Sequence, residues 1–294
     1  MPGSRLPNEG TGALPRKVAE LLRSEEPLHE CLLRLSALVR VKGGNVRMVE
    51  RLVASTPQSA ALTLAVLRAG ICEEQGVAHP DLASAIKSSP VASLWRAGLL
   101  ASYIEFSALA VDQTSIPASD VVATAWATSE TAWWAATRHV VDPDEAFMAG
   151  LMADIGLLAL VHSLPEVYSA VASQADAMPI ELFEIESFGF DHCSVGAALV
   201  KTYKFPSELS DAVLHHHDPS QNLDMFGKVL RAATVAVANE GGNNGIPAPP
   251  PRLDLPVLEG ALLKASQEPE LRARARAGLE SAQGLLASVG FRAA

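Results

Sequence analysis

Gly150-Leu151-Met152-Ala153-Asp154-Ile155-Gly156 decides how this chain is read. The heptapeptide, whose only charged residue is Asp154, lies in a run from Glu145 to Val161 whose apolar pattern predicts one helix. Farther on come His192 and the run His215-His216-His217-Asp218. Carboxylates and imidazoles are side chains that hold divalent metals, but the residue beside Asp154 is Ala153, which coordinates nothing.

Outward from that stretch the pattern stays helical. Residues 1–15 are rich in Gly, Pro and polar side chains and are expected to be a disordered tail. Leu21, Leu22, Leu28, Leu32, Leu33, Leu35 and Leu38 then form an apolar stripe, and Val46 to Leu67 repeats it. Thr56-Pro57 reads as an N-cap followed by proline at the first helical position, where its missing N–H costs nothing. An N-terminal helical lobe over 16–112 follows. Asp112 to Pro117 joins it to a second lobe over 113–240, which opens on a helix from about Ser119 to His139 carrying Trp126, Trp133 and Trp134. These tryptophans offer a base-stacking surface or core packing, and packing is the preferred reading because large aromatics dominate burial. Asp142-Pro143-Asp144 caps the next helix. The stretch from Gly241 to Pro251 excludes any regular element and is read as a linker over 241–252. Residues 253–294 form a helical tail that either packs on the body or pairs two copies.

Composition narrows the function. A chain of 294 residues can bury a substantial core. A net charge of -10 and no evident basic face argue against nucleic acid as a partner. The three cysteines, Cys31, Cys72 and Cys193, are widely spaced and odd in number, which points to a reducing cytoplasm rather than a disulfide framework. The N-terminus lacks the apolar core of a signal peptide. No segment is an uninterrupted apolar run of roughly 20 residues, so no membrane span is expected.

Four motifs follow one another in the second half: Gly150 to Gly156, then Phe188-Gly189-Phe190-Asp191-His192 with Val195-Gly196, then Phe205-Pro206, then His216-His217-Asp218-Pro219. Earlier, Thr56-Pro57-Gln58-Ser59-Ala60 and Ala85-Ile86 with Val91 and Leu94 match more loosely, Pro90 standing where the pattern has glycine. In this order the chain, from about Leu28 to Glu240, resembles the HDOD family, the HD-related output domain of bacterial signal transduction proteins. The resemblance implies an all-α fold, the N-terminal lobe packed on an HD-like helical bundle. In the metal-dependent HD hydrolases the central motif carries a His-Asp doublet. Here the histidine of that doublet is Ala153, the first histidine of the pattern falls at Thr128, and the distal aspartate falls near Thr234. Of those ligand positions only Asp154 keeps a ligand.

Asp154, His192, His216, His217 and Asp218 match positions retained in the family. In the related HD-GYP phosphodiesterases similar histidines complete a multinuclear metal centre, so Asp154, His192, His216 and His217 form a candidate residual metal site. The preferred alternative is structural, with buried histidines satisfying hydrogen bonds and the His-His-His-Asp-Pro run meeting the carbonyls of a helix C-terminus. Cys193 is a candidate soft ligand or a small buried apolar residue. His29, His79, His139 and His162 match no motif.

The chain contains no G-x-S-x-G elbow and no G-x-x-x-x-G-K-[ST] loop. The expectation is therefore a non-catalytic HDOD-like signalling protein, without cofactor, acting as a scaffold for signalling proteins in trans, such as receiver, kinase or diguanylate cyclase proteins. Homodimerisation would run through the C-terminal helices. Two rivals stand beside it: a phosphodiesterase or phosphohydrolase using a divalent metal at the rearranged site, and a nucleotide-binding sensor using cations such as Arg138, Lys201 and Lys204.

Overall fold

A computed structural model describes residues 13–42, 45–70, 79–138, 141–173, 179–218, 223–246 and 249–289. Residues 1–12 of the expected tail, together with Cys72, His139 and Pro219, lie outside the described residues. Within the expected tail, residues 13–15 are already helical, because α1 spans Ala13–Leu21. Pro15 stands in its first turn, where no intrahelical N–H bond is lost.

The fold is all-α, with no strand among the described residues. In the N-terminal lobe α2 (Leu28–Arg40), α3 (Val46–Val53), α4 (Pro57–Arg68) and α5 (Leu82–Ser88) lead into the long α6 (Val91–Val111), against which α2, α3 and α4 pack. Thr56 accepts from Ser59 N–H at 3.0 Å and Pro57 opens α4, as the sequence predicts. The second lobe is built on α7 (Ala118–Ala136), which packs against α6 and the following α8 (Pro143–Met152). Then come α9 (Ile155–Ser163), α10 (Pro165–Ser173), α11 (Ile180–Phe188), α12 (His192–Thr202), α13 (Ser207–His215) and α14 (Met225–Asn239). Beyond the Gly/Pro-rich stretch are α15 (Leu255–Gly260) and α16 (Glu268–Ser288).

The two lobes share one continuous apolar core running from Ala19 to Leu286. Helix α1 crosses to pack on α12 and α9 of the second lobe. Polar bonds reinforce the junction: Ser36 donates to Tyr203 O at 2.6 Å, and Lys42 pairs with Asp142 at 2.7 Å and Glu145 at 3.0 Å. Two stretches have the length and hydropathy of membrane spans, Val91–Val111 and Pro143–Ser163, but 78% and 83% of their apolar windows are buried inside the fold. Their hydropathy is that of core helices.

The tail packs on the body. Leu271, Ala275, Ala282, Leu285 and Leu286 of α16 are buried, and the helix lies along α7 and α14. Trp126 Nε1 donates to Ser281 Oγ at 3.3 Å and Trp134 Nε1 to Glu270 Oε1 at 3.2 Å, while Arg272 and Arg276 pair with Glu240 at 2.6 and 2.7 Å. This accounts for two of the tryptophans: Trp126 is 0% and Trp134 3% exposed, so neither presents a face for a base, while the partly exposed Trp133 lies under the Arg96 guanidinium at 4.9 Å. Trp126 meets Phe147 edge-on, the arrangement that the quadrupoles of two rings favour.

Candidate functional site

The glycines of the central motif set two backbone crossings. A Cβ on Gly150 would stand 2.6 Å from Ser129 Cα, so α8 lies directly on α7. One on Gly156 would collide with His192 O and Gly196 N, so α9 lies directly on α12. Between these crossings the helix expected to run unbroken from Glu145 to Val161 instead ends at Met152 and restarts at Ile155. Asp154 occupies the N-cap position of α9 but makes no side-chain capping bond, so its carboxylate faces the site. Ala153 is 1% exposed and belongs to the core.

Two helices bring the histidines to that carboxylate. Asp191 caps α12 by accepting from Ser194 N–H at 2.8 Å, which fixes His192 at the first helical position. His216 and His217 follow the end of α13. Asp154 Oδ1 lies 3.2 Å from His216 Nε2 and 3.4 Å from His192 Nε2, and His217 Nε2 lies 3.2 Å from His192 Nε2. His192 and His216 are 0% and 1% exposed.

The far side of each buried ring is anchored. His192 Nδ1 donates to Glu184 Oε2 at 2.7 Å, and the same oxygen accepts His192 N–H at 2.7 Å. Tyr168 O–H donates to Glu184 Oε1 at 2.6 Å, so the fully buried Glu184 has both oxygens engaged. His216 Nδ1 donates to Val213 O at 2.7 Å, a carbonyl of the last turn of α13, which is the helix-end contact the sequence pointed to. These bonds place a proton on each Nδ1 and turn each Nε2 to Asp154.

The electrostatics follow from this packing. Burial pushes His192 down, but the charges of Glu184 and Cys193 and the bond to Asp154 hold it well above the ordinary histidine range. Burial also opposes protonation of His216, yet Cys193 and Asp154 hold it up at about 10. His217 is held well below the usual range by burial and by the charges of His216 and His192. Asp154 is kept well below the usual carboxylate range by His192 and His216 despite its burial. The site is thus a compact, largely buried set of opposed charges.

A cavity of about 170 Å³ adjoins the cluster, lined in part by Asp154, His216 and His217 and by Thr128, Thr234 and Arg231. Thr128 and Thr234, distant in sequence, therefore share this cavity with Asp154. Asp218 is not brought in: its carboxylate lies 3.8 Å from the partly exposed His215 Nδ1. Cys193 Sγ lies 3.8 Å from His216 Nδ1, on the anchored side of that ring.

Three participants were not singled out from the sequence. Glu184 is the fully buried carboxylate of α11, and an acid between Phe183 and Ile185 was a signal for it. Tyr168 is its partner. Asn244 lies in the stretch read as a linker; it takes the left-handed conformation (φ 54°), which asparagine tolerates, and its Nδ2 donates to Asp154 Oδ2 at 3.0 Å. Gly242 and Ile246 beside it are buried, so this part of the stretch is packed over the site.

Residues 99–219 match the family model described as the HDOD domain. Three solved structures share the architecture. An HDOD domain protein of unknown function from Geobacter sulfurreducens is 18% identical, with 95% of this chain and 94% of that one covered at a TM-score of 0.65. A protein from Marinobacter aquaeolei VT8, provisionally named a signal transduction protein, is 16% identical, with 95% and 67% covered at 0.69. One from Shewanella amazonensis SB2B, provisionally named a phosphohydrolase, is 18% identical, with 92% and 97% covered at 0.64. At these identities the likeness establishes the fold. No curated protein matches the sequence. Residues 99–219 thus carry the HDOD match, and the helical architecture around them is shared with an HDOD domain protein.

Proposed function

We propose that this protein is a non-catalytic signal transduction module of the cytoplasm that acts by binding other signalling proteins in trans. The observation that carries the reading is the wall of the cavity formed by α7 and α14. At the positions where the hydrolase pattern has a histidine and the distal aspartate, that wall offers Thr128 and Thr234, and the doublet histidine is replaced by the buried Ala153. Hydrolysis by two metals needs ligands on both sides of the scissile phosphoester, to activate water and to stabilise the leaving oxygen. Threonine hydroxyls are poor ligands for such ions and alanine is none.

The fold neighbours carry both kinds of name, a phosphohydrolase in one case and a signal transduction protein in another. The lost ligands favour the second for this chain. Receiver, kinase or diguanylate cyclase proteins are the partners proposed, with a second copy of the chain through the outer face of α16.

The reading is tested with bis(p-nitrophenyl) phosphate and cyclic dinucleotides, supplied with Mn²⁺, Fe²⁺ or Zn²⁺. No turnover above the metal-only control is expected. Turnover that disappears in Asp154→Ala would overturn the proposal. Purification from the native cell is expected to recover a signalling protein in stoichiometric amount.

A further inference from the structure

We infer that Asp154, His192, His216 and His217 together hold a single divalent transition-metal ion of the zinc class, at a site that binds metal without the second ion hydrolysis would need. The inference rests on where the lone pairs point. His192 and His216 each commit Nδ1–H to a fixed acceptor, Glu184 Oε2 and Val213 O, both at 2.7 Å. What each turns toward Asp154 Oδ1 is then Nε2. His217 Nε2 lies 3.2 Å from His192 Nε2, beside the same pair. Three imidazole nitrogens gather beside one carboxylate oxygen, and a cation bound there would take the place of the protons that otherwise bridge His192 and His216 to Asp154.

The spacing fits an ion. A tetrahedral zinc with bonds of about 2.0–2.1 Å to nitrogen or oxygen holds neighbouring ligand atoms about 3.3–3.4 Å apart. The contacts here are 3.2 Å (Asp154 Oδ1 to His216 Nε2), 3.4 Å (Asp154 Oδ1 to His192 Nε2) and 3.2 Å (His192 Nε2 to His217 Nε2). The surroundings also fit. A ligating histidine commonly donates its other N–H to a carboxylate or a backbone carbonyl, which fixes the ring and raises its basicity. His192 has the first kind of partner and His216 the second. Asp154 keeps Oδ1 for the ion because Oδ2 is held by Asn244 Nδ2 at 3.0 Å. An ion reaches the cluster through the cavity, which runs from Asp154 and His217 to the exposed Pro250 and Pro251.

Cys193 offers a competing set, since His192, Cys193, His216 and His217 each place one ligand atom within 4.8 Å of the others. Its sulfur, however, is 3.8 Å from His216 Nδ1, the nitrogen already bonded to Val213 O. The sulfur thus stands on the anchored side of that ring, away from the Nε2 that meets Asp154. The N₃O set therefore takes precedence.

The test is equilibrium titration of the chelator-stripped full chain with Zn²⁺, followed by Co²⁺ as a spectroscopic probe, with far-UV circular dichroism to verify folding. One ion per chain is expected, and the cobalt form should show the visible bands of a tetrahedral site without a thiolate charge-transfer band. Asp154→Asn, close in shape, should weaken zinc binding at least about 100-fold, and Glu184→Gln about 10–100-fold by freeing the His192 ring. Cys193→Ser should bind as wild type. Absence of binding by folded wild-type protein, a thiolate band, or affinity that survives Asp154→Asn would each overturn the assignment. If a variant does not fold, stoichiometry and the cobalt spectrum of the wild type still decide. Metal binding without phosphoester turnover sustains both readings, whereas turnover would overturn only the non-catalytic one.

Discussion

The two walls of the cavity answer the same backbone with different chemistry. On one, Thr128 and Thr234 project from α7 and α14, and the Thr234 hydroxyl donates back to its own helix at Arg231 O, 2.9 Å away. On the other, Asp154 touches His216 and His192, His192 reaches Glu184, and Glu184 reaches Tyr168, so a single polar chain ties the start of α9 to α10, α11, α12 and the end of α13. A ligand position whose polar atoms can be satisfied locally is replaceable at small cost. One whose partners come from other helices is not, because removing any member leaves a buried group unpaired. The comparison separates side chains that bind helices to one another from side chains that do not: the histidine wall belongs to the architecture whether or not the protein cleaves anything.

The sharpest way to break the comparison is to cut the histidine wall at its anchor. Glu184→Ala leaves Tyr168 O–H, His192 N–H and His192 Nδ1–H without their acceptors and removes the carboxylate that balances the buried His192. Breaking a buried pair by deleting one partner costs about 3–5 kcal/mol. Urea unfolding should show Glu184→Ala less stable than the wild type by an amount of that order. A loss below about 1 kcal/mol would mean that this wall is no more structural than the other.

Much of this arrangement was legible beforehand, and what was not has physical causes. The all-α class and the caps at Thr56 and Asp142 follow from apolar spacing and cap signals, whereas the grouping of Asp154 with His192, His216 and His217 came from the family resemblance alone. The break at Ala153-Asp154 was hidden because the apolar pattern continues on both sides of it, and only the tertiary crossings at Gly150 and Gly156 re-aim the chain. Glu184 was missed because it sits in an apolar run, where a pattern reading assigns an acid to the solvent. Asn244 was missed because Gly/Pro-rich composition excludes helix and strand without saying where the chain packs. The grouping of Thr128 and Thr234 in one cavity depends on two helices far apart in sequence, which no local pattern reports.

A second comparison lies on the threonine side itself. Asp154 is held ionised by two histidines, whereas Glu130 on α7 is pushed up to about 7 by burial, with Arg96 and Arg274 only partly offsetting it. For a carboxyl whose folded pKa exceeds its unfolded value of 4.5, the folded state holds the proton more tightly. Both states are protonated below about 4.5, so Glu130 costs nothing there; the penalty grows as pH rises and is complete above about 7. Stability should therefore fall across that window in the wild type, and Glu130→Gln should flatten the slope. Because solvent reaches part of the side chain, the expected gap between the two proteins widens by about 1–2 kcal/mol from pH 5 to pH 8, less than full linkage would give. Parallel pH profiles for the two would remove Glu130 from the account.

The smallest effect is expected where the comparison predicts indifference. Thr128 is 2% exposed and lines the cavity, but it joins none of the bonds that tie Asp154, Glu184 and the histidines together. Thr128→Val keeps the branched shape and exchanges one hydroxyl for a methyl, a change that should move stability by about 1 kcal/mol or less. Zinc affinity should also stay at the wild-type value, since the proposed ligands all lie on the other wall. If instead Thr128→Val weakened metal binding about tenfold or more, the threonine would be a participant, through a bound water or its own hydroxyl. The two walls would then form one site, and the division between a structural histidine wall and a chemically silent threonine wall would have to be redrawn around both.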